Sequence, residues 1–352
     1  MKRISMRLSQ RWIAAPVLGA AALAVAVQVN AQNPAADAEP AEAAAAATPA
    51  RPAPLSVAGP VAKSTVERLL LNDATRAGKR IVAIGEHGYV ITSDDDAATW
   101  QRAAGLRRTM LNKLSFADDK TGWVVGHDGL IAMTRDGGAT WKEQRFAPAD
   151  EEPLLGVYAR DAEHAIAVGA YGLYLETADG GATWTDRMLA PEGQEDDRHL
   201  NAITAFGGGK LAIVGESGLV KISIDNGLTW TAVTAPYEGS YFGALPIETD
   251  GLMVFGLRGQ AFVSRDAGAT WSAAEGSGPV TLLGGGVGAD GAVTLVGSAG
   301  SVRISRDAGK TFAPLAPAKI AAFSTALPLD ATHALLFGEA GTSVLDLAGA
   351  AK

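Results

Sequence analysis

An all-β fold, a seven-bladed β-propeller built from Asp-box repeats, is predicted by three observations in this 352-residue sequence. An octapeptide recurs six times, and its closing aromatics stand 41 to 46 residues apart. An apolar run ending in Gly-x-x-Gly recurs seven times in step with it. The chain holds 42 Gly and no Cys, so turns are plentiful and neither disulfides nor thiolate metal sites are available to staple them. A period near 42 residues is that of a four-stranded propeller blade.

The octapeptide reads SDDDAATW at 93–100, TRDGGATW at 134–141, TADGGATW at 177–184, SIDNGLTW at 223–230, SRDAGATW at 264–271 and SRDAGKTF at 305–312. Its Asp (Asp95, Asp136, Asp179, Asp225, Asp266, Asp307) suits a carboxylate that accepts backbone N–H groups of its own turn. The Gly two residues on suits a conformation that other residues resist. The closing aromatic (Trp100, Trp141, Trp184, Trp230, Trp271, Phe312) is expected in the core beside the next blade. These are structural assignments: repeats of this kind build the ring.

The run before each Gly-x-x-Gly is apolar at nearly every position, as in IVAIGEHG (81–88), and predicts a strand buried on both faces. The run after it alternates, as in Leu219 to Ser223 or Val302 to Ser305, and predicts a half-buried strand. Gly-x-x-Gly joins the two as a tight hairpin with Gly at positive φ, and the octapeptide joins the third strand to the fourth. An innermost strand such as Leu114–Ala117 or Ala202–Phe206 opens each blade.

The seventh repeat stops short. Aligned on the sixth, GTSVLDLAGAAK (341–352) ends before any aromatic, so blade seven is expected to lack its outer strand. The segment Pro54–Gly59, with Leu55 and Val57 alternating, is the expected donor: paired with Thr342–Leu347 it would complete the last blade and latch the ring.

Residues 1–31 predict a signal peptide: a basic start at Lys2, Arg3, Arg7 and Arg11, an apolar stretch from Trp12 to Val27, and a small-residue cleavage pattern ending at Ala31. Residues 32–53, rich in Ala, Pro and Glu, predict a flexible linker, and 54–352 the propeller. Loss of the four basic residues takes the formal net charge from −8 to −12. That balance argues against nucleic acid or an anionic lipid surface as partner and suits a periplasmic or secreted monomer with no membrane span after cleavage.

The repeats resemble a known group. The form G-W-x-V-G-x-x-G-x-I-x-x-T-x-D-G-G-x-T-W is similar to that of the photosystem II assembly and stability factors of the thylakoid lumen, and GWVVGHDGLIAMTRDGGATW (122–141) fits it closely. The resemblance spans about residues 54–352. It implies an exported, non-enzymatic propeller that serves a membrane-protein complex in photosynthesis. For a non-photosynthetic bacterial relative it implies the same fold and style of action without a photosystem. The photosynthetic relatives present a basic patch, whereas the basic residues here are scattered, Arg107 and Arg108 forming one adjacent pair.

The partner-binding face is expected where the Gly-x-x-Gly hairpins meet the connections between blades, since loops carry function. Its candidates are Glu86, His87, Arg107, Arg108, His127, Asp128, Tyr171, Asp196, Asp197 and Arg258. The two longest connections, 147–154 and 190–200, are acidic and suit a solvated rim, a basic partner or calcium, although the spacing is not that of an EF-hand. No catalytic residue, metal site or cofactor is expected. The competing readings are a sialidase- or glycosidase-like enzyme and a sugar- or peptide-binding module. A sialidase needs clustered arginines and a Tyr–Glu nucleophile pair; Arg135, Arg265 and Arg306 lie inside the boxes, on the opposite face. His164 and His333 start apolar strands, where blade packing accounts for them.

Overall fold

The computed structural model describes residues 58–189 and 196–348. The expected signal peptide and linker, and the segment 54–57, lie outside the described residues, as do Glu192 and Glu195. Among the described residues, no helix is long and apolar enough to cross a membrane.

Seven antiparallel sheets form the seven blades. Their first strands are Leu71–Ala77, Leu111–Phe116, Leu154–Ala159, Leu200–Phe206, Tyr241–Ile247, Leu282–Val287 and Phe323–Pro328. Each touches the first strand of its neighbours, the seventh touching the first, so the ring closes around a central channel of about 280 Å³. The sequence pattern had begun two of these strands two or three residues late. Each first strand carries a bulge at its second residue. In three blades that residue is Asn: Asn72, Asn112 and Asn201 each donate 2.8 Å to the carbonyl of the next blade's first strand residue, Leu111, Leu154 and Tyr241.

The second strands are buried on both faces as expected; Ile81, Val82, Ala83 and Ile84 are all closed to solvent. Four of the seven third strands differ from expectation, while Tyr174–Thr177, Val302–Ser305 and Gly341–Asp346 keep partly exposed positions. Val90–Ser93, Ile131–Thr134, Val220–Ser223 and Ala261–Ser264 are buried at every position, not half-buried. Both of their faces meet neighbouring blades, and even Lys221 is enclosed, its ammonium turned to the Leu189 carbonyl at 3.3 Å.

The Asp box closes by a repeated hydrogen-bond pattern. In the second box the Thr134 hydroxyl donates to Asp136 Oδ1 (2.8 Å) and accepts from Gly138 N (2.9 Å). Thr140 donates its N–H to Oδ1 (2.9 Å) and its hydroxyl to Oδ2 (2.6 Å) of the same carboxylate. Gly138 sits at φ +85, the left-handed region, against Val82 of blade one. The aromatic therefore wedges against the preceding blade, not the following one: Trp141 packs with Val82 and Ile84, and Trp100 meets Phe337 edge to face at 6.4 Å. Trp100, Trp141 and Phe312 are buried, while Trp184, Trp230 and Trp271 are only half-buried.

Of the hairpin glycines, the second takes positive φ as expected, while the first does not. The first of each pair is extended (Gly85, φ −172). It is required by close approach: a Cβ there would stand 1.9 Å from the Leu70 carbonyl oxygen. The left-handed conformation falls on the second glycine and on the non-glycine residue before it. His164 and His333, expected as packing residues, instead close turns, their backbone N–H groups donating 2.8 Å to Asp161 and Asp330.

Among the described residues the strand latch is not found: Gly59–Val61 pair with Trp100–Arg102, the outer strand of blade one, and blade seven has three strands, while the rest of the expected donor, 54–57, lies outside the described residues. The reason lies in the segment that follows. Val66 and Leu69 are buried in the seam with Trp100, Leu335 and Phe337, and Gly341 N donates 3.0 Å to the Leu69 carbonyl. With those residues anchored, the strand ahead of the short helix Lys63–Val66 reaches blade one. The seam is thus closed by side-chain packing.

Truncating a buried large aromatic costs about 3–5 kcal/mol. Trp141→Ala should show that loss in urea unfolding, and half-buried Trp230→Ala distinctly less; the opposite ranking would remove the wedge role. The carboxylates of Asp95, Asp179 and Asp225 are held down to about 2, first by the hydroxyl of the Thr four residues on, then by its N–H, then by the hydroxyl two residues before. That lies below an unfolded Asp at about 3.9. Their stabilisation is therefore present above pH ~4 and lost as pH falls toward ~2. Melting temperature should hold steady from neutral pH to about 5 and drop below about 4, and Asp179→Asn should make the drop shallower.

Candidate functional site

Antiparallel blades place the Gly-x-x-Gly hairpins and the inter-blade connections on one face and the Asp boxes on the other. The hairpins bond directly to the connections: Gly88 N to the Thr109 carbonyl (2.6 Å), Ala147 N to the Asp128 carbonyl (2.8 Å) and Gly218 N to the Gly239 carbonyl (3.0 Å). This face is a continuous loop surface on a rigid frame.

Within each hairpin the two variable positions have different duties. Where the first is Glu, it serves the fold. Glu86 accepts the Leu70 N–H (3.1 Å), Glu216 the His199 N–H (3.0 Å) and Glu339 the Ala322 N–H (3.3 Å). Each carboxylate fastens the chain just ahead of a first strand, so Glu86 leaves the set of free recognition residues. His127 remains exposed at the equivalent position.

The second position is left-handed in six blades: His87 (φ 52), Asp128 (57), Tyr171 (55), Ser217 (49), Arg258 (57) and Ala299 (54). A left-handed non-glycine residue costs roughly 1–2 kcal/mol. The hairpin imposes that cost at one site per blade, where a second Gly would remove it. His87, Tyr171, Ser217, Arg258 and Ala299 are exposed, and Asp128 is steadied by the Thr109 hydroxyl at 2.8 Å. The result is a crown of side chains at equivalent positions, one per blade, with a different chemistry at each. Four of its members, His87, Asp128, Tyr171 and Arg258, are among the site residues expected from sequence; Ser217 and Ala299 occupy the same hairpin-tip position but are not among those candidates.

Tyr171 is the largest of them, 55% exposed. Its ring meets His199 edge to face at 5.0 Å, and His199 Nδ1 lies 3.8 Å from Glu216. This aromatic pair bridges blades three and four and had no signal in sequence, the partners being 28 positions apart.

Arg107 and Arg108 do not act as a pair. Arg108 is exposed, but Arg107 is 2% exposed. Its guanidinium forks onto Glu143, Nε donating at 2.9 Å with Nη2 on the second oxygen, and lies 3.3 Å over the Phe146 ring. Arg107 is a buried tie between blades one and two and not a surface charge. Asp196 is also committed. Arg198 bonds both of its oxygens (2.8 and 2.9 Å) and holds the carboxyl below the usual range, with Lys221 at 3.5 Å. Asp197 stays exposed. Asp150 of the other acidic connection pairs with Arg145 at 3.0 Å. Among the described residues no group of three His, Asp or Glu is arranged to hold a metal ion.

On the box face the arginines are fastened to neighbours. Arg265 bonds Glu248 (2.7 Å) and the Ala308 carbonyl (3.2 Å), and Arg306 the Leu347 carbonyl (2.7 Å). They stitch box loops to the next blade and do not converge on a substrate. The central channel carries a half-buried ion pair, Lys113 to Asp73 at 3.2 Å, with Asp73 also accepting the Leu114 N–H.

Residues 149–285 match the family model described as photosynthesis system II assembly factor YCF48. Among solved structures, the chain is similar to YCF48 bound to D1 peptide (17% identity, 85% of this chain and 99% of that one, TM-score 0.63). It is similar to YCF48 from Cyanidioschyzon merolae (18%, 83% and 98%, TM-score 0.64). A GH74 xyloglucanase from Xanthomonas campestris shares the fold at 13% identity, over 81% of this chain and 53% of that enzyme, TM-score 0.64. No curated protein matches. The family match and the two YCF48 structures bear out the resemblance read from the repeats, and the seven-bladed fold with it.

Removing one member of a buried ion pair costs about 3–5 kcal/mol. Arg107→Met should lower stability on that scale in urea titration, whereas Arg108→Glu should leave it unchanged. Equal, small effects would return Arg107 to the surface.

Proposed function

We propose that this chain, a YCF48-like Asp-box propeller, is a non-enzymatic extracytoplasmic scaffold that assists assembly or stability of a membrane-protein complex by gripping a segment of its partner on the hairpin face. The observation that carries the reading is the crown: a constant frame that holds a different side chain, at a conformational cost, at the tip of each of six hairpins. Strain held at exposed loop tips is a mark of binding sites. The structural neighbour solved with a D1 peptide supports a protein segment as the occupant of such a propeller. The export expected from residues 1–31 supports the compartment.

The crown also describes the segment. His87, Asp128, Tyr171 and Arg258 offer both signs of charge and one aromatic surface. No basic patch dominates, so the partner's segment is of mixed charge with an apolar or planar group for Tyr171. Exposed aromatics and arginines are the residue types that dominate binding energies.

The test is capture from detergent-solubilised membranes. Tyr171→Ala with Arg258→Glu should remove the specifically captured protein without lowering the melting temperature, because exposed loop charges contribute little to folding. Arg135→Glu, on the box face, should leave capture intact. Capture that survives the first change and is lost with the second would place the binding surface on the opposite face.

A further inference from the structure

Among the described residues, the rim of the ring contains a strand edge that is left open. Other outer edges are blunted. Thr185–Asp186, Thr231–Ala232, Ser272–Ala273 and Ala313–Pro314 are two residues long, the last ending in Pro. Lys142–Arg145 is charged at three of its four positions. Trp100–Arg102 is covered by Gly59–Val61, which itself carries Pro60. Short strands, charge and Pro are the usual means of preventing an edge from recruiting another strand.

Among the described residues, blade seven has neither the shortness nor the Pro, and one charge, Asp346, at the end of the strand. Its last strand, Gly341–Asp346, is six residues long with the sequence GTSVLD, without Pro, Lys or Arg. It pairs in unbroken register with His333–Gly338 on its inner side, and among the described residues no strand lies on its outer side. Alternate residues of such a strand direct N–H and C=O away from the partner they have. Val344, at its centre, is 56% exposed, and the buried Ser343 hydroxyl has no hydrogen-bond partner.

We propose that Gly341–Asp346 is a second docking site, where an extended segment of a partner protein adds as the fourth strand of blade seven. The segment is basic toward its ends and β-branched at its centre. The charge of the edge selects that chemistry. Glu339 precedes the strand, Glu67 lies beside Gly341, and exposed Asp346 ends it. The exposed Val344 offers a cross-strand contact to a β-branched neighbour. A second copy of the chain fits less well: antiparallel pairing would set Asp346 of one copy against the Glu67 and Glu339 end of the other, in a chain already at −8. Backbone pairing supplies affinity and the alternate side chains supply selectivity, as in strand addition generally. The site is on the rim between the two faces and does not depend on the hairpin crown.

The probe is a blocked, fluorescein-labelled peptide of alternating lysine and valine, titrated against the full chain by anisotropy. Saturable binding is expected, weakened about tenfold or more by Val344→Pro, which removes a backbone donor. Should that change disturb blade seven, Asp346→Lys leaves the backbone alone. It should weaken the lysine–valine peptide about fivefold and favour a glutamate–valine peptide instead, with no change in melting temperature. The proposal is overturned if the full chain does not bind saturably, or if both variants bind like the wild type. Self-association through this edge, or binding that emerges only after removal of residues 1–57, would assign the edge to another occupant and overturn it equally.

Discussion

Apolar surface shared between blades is the constraint on which this molecule depends. A second strand such as Arg80–Gly85 has no polar face, so it is stable only with a blade on each side. A third strand such as Val90–Ser93 is in the same position. No blade satisfies that requirement alone, and the first and last must meet for the ring to be stable. The box aromatics make each meeting specific, since Trp141 enters blade one while its own turn is held rigid by Asp136. At the closing seam the same device operates, with Trp100 on Phe337 and with Val66 and Leu69 filling the remaining space. Blade seven, with three strands among the described residues, holds its place because outer strands contribute little to this shared surface; Thr185–Asp186 and Thr231–Ala232 are exposed along their whole length.

The same tight packing shapes the recognition face. The first glycine of each hairpin lies against the carbonyl ahead of the neighbouring strand, which leaves no room for a Cβ at Gly85 or Gly126. The chain then turns within two residues, and the turn forces the residue before the second glycine into the left-handed region. Side-chain identity is free at that residue because it stands clear of the core, so the most constrained backbone carries the most variable chemistry. Loops on a rigid scaffold are where binding residues gather, and here the scaffold also sets their spacing, one per blade.

Burial also decides which charges belong to the surface. Arg107 and Lys221 are placed inside, the first against Glu143 and Phe146 and the second against Asp196 and the Leu189 carbonyl. Long basic side chains bury their stems and need only one good partner for the head group. Glu86, Glu216 and Glu339 are consumed by backbone N–H groups of their own blades. The charges exposed on the hairpin face, Arg108, Asp197 and Arg258 among them, form a mixed surface and not a patch of one sign.

The sequence by itself determined the blade count, the order of strands within each blade and the box turn. Each of these is a local pattern repeated at a fixed period: apolar runs, Gly pairs and the Asp-to-Thr spacing are encoded within eight or so neighbouring residues. Four of the crown residues were legible for the same reason, since a hairpin tip is a local feature. What only the tertiary structure decided is whatever depends on a neighbouring blade. Arg107 and Glu143 are 36 positions apart, Tyr171 and His199 belong to different blades, and four of the third strands are buried by surfaces that their own alternation does not reveal. The edge that Gly59–Val61 would take was equally a contest between two blades, settled by where Val66 and Leu69 find apolar partners. Periodicity specifies a blade; the contacts of one blade with the next are set by side-chain volume and charge across a seam that no local pattern records.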